Sequence, residues 1–79
     1  MTVEAEHTLD TSGLFCPEPV MLLHNKVAEL QTGETLRVIA TDPTTQRDIP
    51  RFCRFLGHEL LVEEVADGVF VYLLRKGAG

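Results

Sequence analysis

Two helix-patterned stretches are threaded between four strand-patterned ones in only 79 residues, and that alternation leaves few ways to close a core. Val3, Ala5, His7 and Leu9 alternate with polar residues, which predicts a first strand ending near Asp10. Thr11-Ser12-Gly13 is a turn cluster. From Pro17 to about Leu30 the period becomes helical. Val20, Leu23, Val27 and Leu30 fall on one stripe; Glu18, Leu22, Asn25 and Glu29 fall opposite. Gln31-Thr32-Gly33 stops that helix. Thr35 to Ala40 reads as a strand with Leu36, Val38 and Ala40 on one face. Asp42 is a candidate cap for a second helical region. Pro50 predicts an irregular first part and a regular helix only from about Ile49 to Leu56, ended by Gly57. Glu59 to Val65 and Val69 to Lys76 read as strands joined by a hairpin turn at Ala66-Asp67-Gly68.

The order β-α-β-α-β-β predicts a parallel pairing of the first two strands across a helical crossover. The expected fold is an α/β two-layer sandwich, a four-stranded mixed sheet with two helices on one face, as a single domain over residues 1–79. The other face of the sheet is then open. The last strand is apolar on both sides, Val69, Val71 and Leu73 against Phe70, Tyr72 and Leu74, so some of these must face outward. A domain near this size buries only about 60% of its unfolded surface and is worth about 4–12 kcal/mol.

The formal net charge of −5 argues against direct nucleic-acid binding, which runs on phosphate neutralisation. No apolar run is long enough to span a bilayer. No basic amino-terminal stretch leads into an apolar segment, so a cytoplasmic chain with reduced thiols is expected. Cys16 and Cys53 are too few for a disulfide scaffold and wrongly spaced for zinc. His7, His24 and His58 lack partners at ligand spacing, so neither a metal nor a cofactor is expected.

Cys16-Pro17-Glu18-Pro19 is the most informative segment. With Cys16 as cap, Pro17 and Pro19 become the first and third helical residues, where missing N–H groups cost nothing. Phe15 and Val20 are spaced for a hydrophobic staple. The thiol then sits at the positive end of a helix, which favours thiolate, the nucleophilic form. The Glu18 N–H is the one first-turn donor left to contact it, and the Glu18 charge opposes its ionisation. Cys53 shares a face of the second helix with Ile49, Phe52 and Leu56 and reads as core. Arg47, Arg51 and Arg54, at i, i+4 and i+7, form a basic stripe edged by Phe55, read here as a docking surface for an acidic partner or phosphate. Asp42, Thr44, Thr45 and Asp48 read as capping and turn residues.

At these residues the chain resembles the TusA (SirA-like, YhhP-like) sulfur carriers. The resemblance runs from Leu9-Asp10 and Gly13-Leu14 through Cys16-Pro17-Glu18-Pro19 to Gly33-Glu34-Thr35-Leu36 and Asp42-Pro43. It continues through Arg47-Asp48-Ile49-Pro50, Phe52-Cys53, Gly57-His58-Glu59-Leu60 and Leu74-Arg75-Lys76. It implies that Cys16 accepts sulfur as a persulfide from a cysteine desulfurase, with Pro17, Glu18 and Pro19 as the supporting motif. It also implies a downstream sulfur-relay protein as acceptor and 2-thiouridine in tRNA as the destination. Relatives also serve sulfur oxidation and molybdenum-cofactor supply. Such a carrier acts with partner enzymes rather than alone, needs no cofactor, and is expected to be a monomer. His24-Asn25 stands where many relatives carry Arg-Lys, and Thr41 where they are often acidic. Docking would then use Lys26 or the Arg47, Arg51, Arg54 stripe. The competing readings are a regulatory interaction module built on that stripe and a redox enzyme pairing Cys16 with Cys53.

Overall fold

The computed structural model describes residues 5–78; the expected role of Val3 in the first strand lies outside them. The elements are β1 (His7–Thr11), α1 (Glu18–Glu29), β2 (Thr35–Ala40), α2 (Thr45–Leu56), β3 (Glu59–Ala66) and β4 (Val69–Arg75). They build one four-stranded sheet in the order β1-β2-β4-β3. β1 and β2 run parallel, and β4 is antiparallel to both β2 and β3. The expected two-layer α/β architecture is therefore the observed one.

Strand alternation decides the faces. Leu36, Val38 and Ala40 of β2 and Phe70, Tyr72 and Leu74 of β4 are buried beneath the helices. Leu23, Val27 and Leu30 of α1 and Ile49, Phe52 and Cys53 of α2 meet them, with Leu9, Val20 and Leu60 at the margin. Ile39, Val71 and Leu73 lie on the other face, half-buried by their neighbours, and Val69 there is exposed. Asp67 and Gly68 both take positive φ, 53° and 77°, in the two-residue hairpin turn. Leu61 is the extra residue where the β3–β4 register shifts between Leu60 and Val62.

Strand ends shift slightly from the sequence reading, β1 starting at His7 and taking in Thr11, β3 taking in Ala66 and β4 ending at Arg75, and both helix starts differ as well. α1 begins at Glu18, with Pro17 rather than Cys16 as its cap residue. α2 is helical from Thr45, four residues before the expected start, and runs through Pro50. Proline removes one N–H from a helix, and the Thr45-to-Tyr72 anchor offsets that loss at its start. There the Asp42 carbonyl accepts both Thr45 N–H (3.0 Å) and Thr45 Oγ1–H (2.7 Å). Thr45 Oγ1 lies 2.9 Å from Tyr72 Oη, and since its hydrogen is committed, the tyrosine donates. Tyr72→Phe should therefore cost about 1 kcal/mol in urea unfolding, the worth of one buried hydrogen bond, with no change of fold.

Candidate functional site

The loop from Ser12 to Pro17 carries the thiol and is fastened both by the end of β1, through Ser12 N–H to Asp10 Oδ1 and Leu14 N–H to the Thr11 carbonyl, and by the loop after β2. Gly13 N–H donates to Thr41 Oγ1 at 2.8 Å, and Cys16 N–H donates to Asp42 Oδ2 at 2.6 Å. The other Asp42 oxygen accepts Thr44 N–H at 3.0 Å. These two backbone donors hold the Asp42 carboxyl below its ordinary range, the Thr44 bond most strongly. The Cys16 thiol, exposed to solvent, donates to Asp48 Oδ2 across 3.7 Å. Asp48 Oδ1 in turn accepts Arg47 Nε–H at 2.9 Å. The Cys16–Pro17 peptide is cis.

This arrangement corrects three expectations. The Glu18 N–H bonds to the Phe15 carbonyl at 2.9 Å and not to sulfur, because the turn from Phe15 to Glu18 closes on itself as the helix starts. Phe15 is 69% exposed, so it staples nothing. Pro19, the second helical residue rather than the third, is buried. Among the described residues the sulfur's polar partner is thus a carboxylate and not a helix amide.

Cys16 opens onto a groove of ≈ 320 Å³ between the two helices. Val20 and His24 of α1 form one wall, and Arg51, Phe52, Phe55 and Leu56 of α2 the other. The His24 ring meets Phe52 edge-on at 4.6 Å. Phe55, 73% exposed, stands at the rim beneath the Arg54 guanidinium, 5.8 Å from its ring centre.

The stripe of Arg47, Arg51 and Arg54 is exposed along α2, but its members do different things. Arg47 is tied to Asp48, Arg51 lines the groove with Cys16, and Arg54 covers Phe55. Lys26 does not join them. It lies two residues beyond His24, about 200° round α1, and faces Glu29 at 3.9 Å. The sequence reading assigned Asp42 and Asp48 to caps and turns and missed their hold on Cys16. One signal was available: β1 and β2 are adjacent parallel strands, so the segments leaving their ends, at Ser12 and Thr41, must come together.

Comparison with known proteins shows the family. A family model described as sulfurtransferase TusA matches residues 7–76. The chain belongs to the TusA family. A sulfur carrier protein TusA of Pseudomonas syringae is 62% identical over 76 residues, covering 96% of this chain and 88% of that one. One from Pseudomonas aeruginosa is 56% identical over 78 residues, covering 99% of each. A SirA-like protein of Desulfitobacterium hafniense shares the fold with a TM-score of 0.73 at 26% identity, covering 90% of this chain and 97% of that structure.

The second cysteine of this TusA-family chain behaves as core. Cys53 is 2% exposed, and burial, with Glu63 adding to it, pushes its thiol up to about 11. Both cysteines are free, and they open onto different clefts, Cys53 onto one lined by His58, Arg75 and Gly77. His58 is buried, and its Nδ1 accepts the Gly77 N–H at 2.9 Å. No helix among the described residues is long and apolar enough to cross a membrane.

The depressed carboxyls set an acid limb. Asp42 is held down by Thr44 and Cys16 N–H, and Glu34 by Gln31 N–H and then His7. A folded value below the unfolded one means stability that is present above the ordinary carboxylate range and lost as pH falls through it. Thermal unfolding should therefore fall steeply below pH ~4, and Asp42→Asn should flatten that limb while lowering the neutral-pH midpoint.

Proposed function

We propose that this chain is a sulfur carrier that takes sulfane sulfur on Cys16 from a cysteine desulfurase. It passes that sulfur to a relay protein that feeds 2-thiouridine formation in tRNA. The observation that carries the reading is the exposed Cys16 thiol, anchored through its own N–H and opening onto the apolar inter-helix groove. The naming of the relatives as sulfur carriers supports it. The step is an exchange: the Cys16 sulfur attacks the outer sulfur of the donor's persulfide, the donor S–S bond breaks, and the donor leaves as thiolate. The thiol proton ends on the donor thiol, so Cys16–SH and R–S–SH become Cys16–S–SH and R–SH with no net oxidation.

Little else is needed on the carrier, because the donor and acceptor supply their own catalytic groups. The groove and the exposed Phe55, Arg51 and Arg54 are the proposed docking face, with a single domain acting as a monomer in the cytoplasm. Lys26, on the far side of α1, is left out of that face. Arg51→Glu with Arg54→Glu should slow loading from the desulfurase by about tenfold or more and leave uptake from a small-molecule persulfide unchanged. Equal slowing with both donors would remove the docking role.

The pathway is tested in cells lacking the protein. Their tRNA should lose 2-thiouridine by nucleoside mass analysis, and the wild-type gene should restore it. Unchanged 2-thiouridine alongside defective sulfur oxidation or molybdoenzyme activity would keep the carrier chemistry and change its destination.

A further inference from the structure

We propose that Asp48 governs the Cys16 proton: its carboxylate accepts the thiol hydrogen, and its charge opposes loss of that proton. The inference rests on the carrier reading only for its purpose. The contact itself is a matter of geometry, with Sγ 3.7 Å from Asp48 Oδ2. The usual helix-start arrangement supplies N–H donors to a thiolate. Here Pro17 and Pro19 have none, Glu18 N–H is spent on Phe15, and Cys16 N–H is spent on Asp42. A thiolate would face the Asp48 carboxylate, whereas the thiol can give its hydrogen to it.

The charged and titratable groups around the sulfur fit one scheme. From α2 come Asp48 and Arg47, and Arg51 further along the groove; from the loop before it comes Asp42. α1 supplies Glu18, two residues on, and His24 in the groove wall. Arg47 binds the Asp48 oxygen that does not face sulfur, so it positions the carboxylate and offsets part of its charge. Asp48 is the sole carboxylate of the set given a bond to Sγ, and its side chain is 18% exposed, so screening of that charge is incomplete. A resting thiol kept protonated is protected from stray disulfides and oxidants, with which thiolate is the form that reacts.

The test is alkylation by iodoacetamide, which joins the carboxamidomethyl group to sulfur, releases iodide and leaves the thiol proton to buffer. The product is read by mass on the peptide containing Cys16, so Cys53 does not interfere. At neutral pH, Asp48→Asn should react about threefold to tenfold faster than wild type, the effect of removing one charge at this distance in mostly aqueous surroundings. Arg47→Gln should react more slowly than wild type. All three should converge in strongly alkaline buffer, where every thiol is ionised. Asp48→Glu, which keeps the charge, should remain near wild type. Urea midpoints identify any variant that has loosened.

Opposite signs at two neighbouring residues, converging at high pH, are not produced by a change in access. Asp48→Asn reacting at the wild-type rate or slower would overturn the proposal. So would a constant acceleration at every pH. Loading of wild type by a desulfurase decides the carrier reading separately, so normal loading with unaltered Asp48→Asn alkylation overturns the role of Asp48 alone.

Discussion

Cys16→Ser will take up no sulfur from a cysteine desulfurase, while Cys53→Ser will still be loaded. Intact mass after incubation with desulfurase, its pyridoxal cofactor and cysteine reads this directly. Wild type gains one sulfur atom that reduction removes. The expected loss in Cys16→Ser is complete rather than partial, because a hydroxyl is a far weaker nucleophile at neutral pH and forms no persulfide. The same substitution should leave stability nearly unchanged, since the Cys16 side chain is exposed and its anchor to Asp42 is a backbone N–H. At Cys53 the balance reverses. A buried serine leaves a hydroxyl to be satisfied in the core, at about 1–3 kcal/mol, with the carrier chemistry intact. Sulfur uptake by Cys16→Ser at the wild-type rate would end the persulfide reading. Loss of uptake in both variants, with a disulfide formed in oxidised wild type, would favour the two-cysteine redox reading instead.

The second large effect is on the platform beneath the thiol. Leu23→Ala should destabilise the protein by about 2–5 kcal/mol. Leu23 is fully buried at the centre of the inner stripe of α1, the helix that follows Cys16. Truncation removes methyl groups from water-free packing and leaves a cavity that a two-layer core cannot easily collapse around. Against a total of about 4–12 kcal/mol, this would take the weakest case to the edge of unfolding. In urea the midpoint should fall with the slope retained, since the surface exposed on unfolding hardly changes. A loss under about 1 kcal/mol would mean that α1 is not held through this stripe.

Much of the fold is legible in the chain because burial follows period. The inner residues of α1 and the alternation along β2 and β4 emerge where the sequence pattern puts them. The start of α2 did not, because Pro50 argues locally against a helix while the Asp42–Thr45–Tyr72 chain, reaching across to β4, stabilises it. Phe15 shows the same limit. Its spacing to Val20 suggested a staple, but the turn before α1 aims the ring at solvent.

By itself the sequence determined the order of elements, the apolar faces, the thiol at the head of the first helix and the family to which the chain belongs. Those depend on neighbours three, four or two residues apart, and on motifs short enough to see. The tertiary structure alone decided which groups touch that thiol. Cys16 is bound by Asp42 and Asp48, 26 and 32 residues away, and Lys26 is turned from the groove while Arg51 is turned into it. The adjacency of two parallel strands sets those meetings, and their register is fixed by packing the whole sheet against both helices.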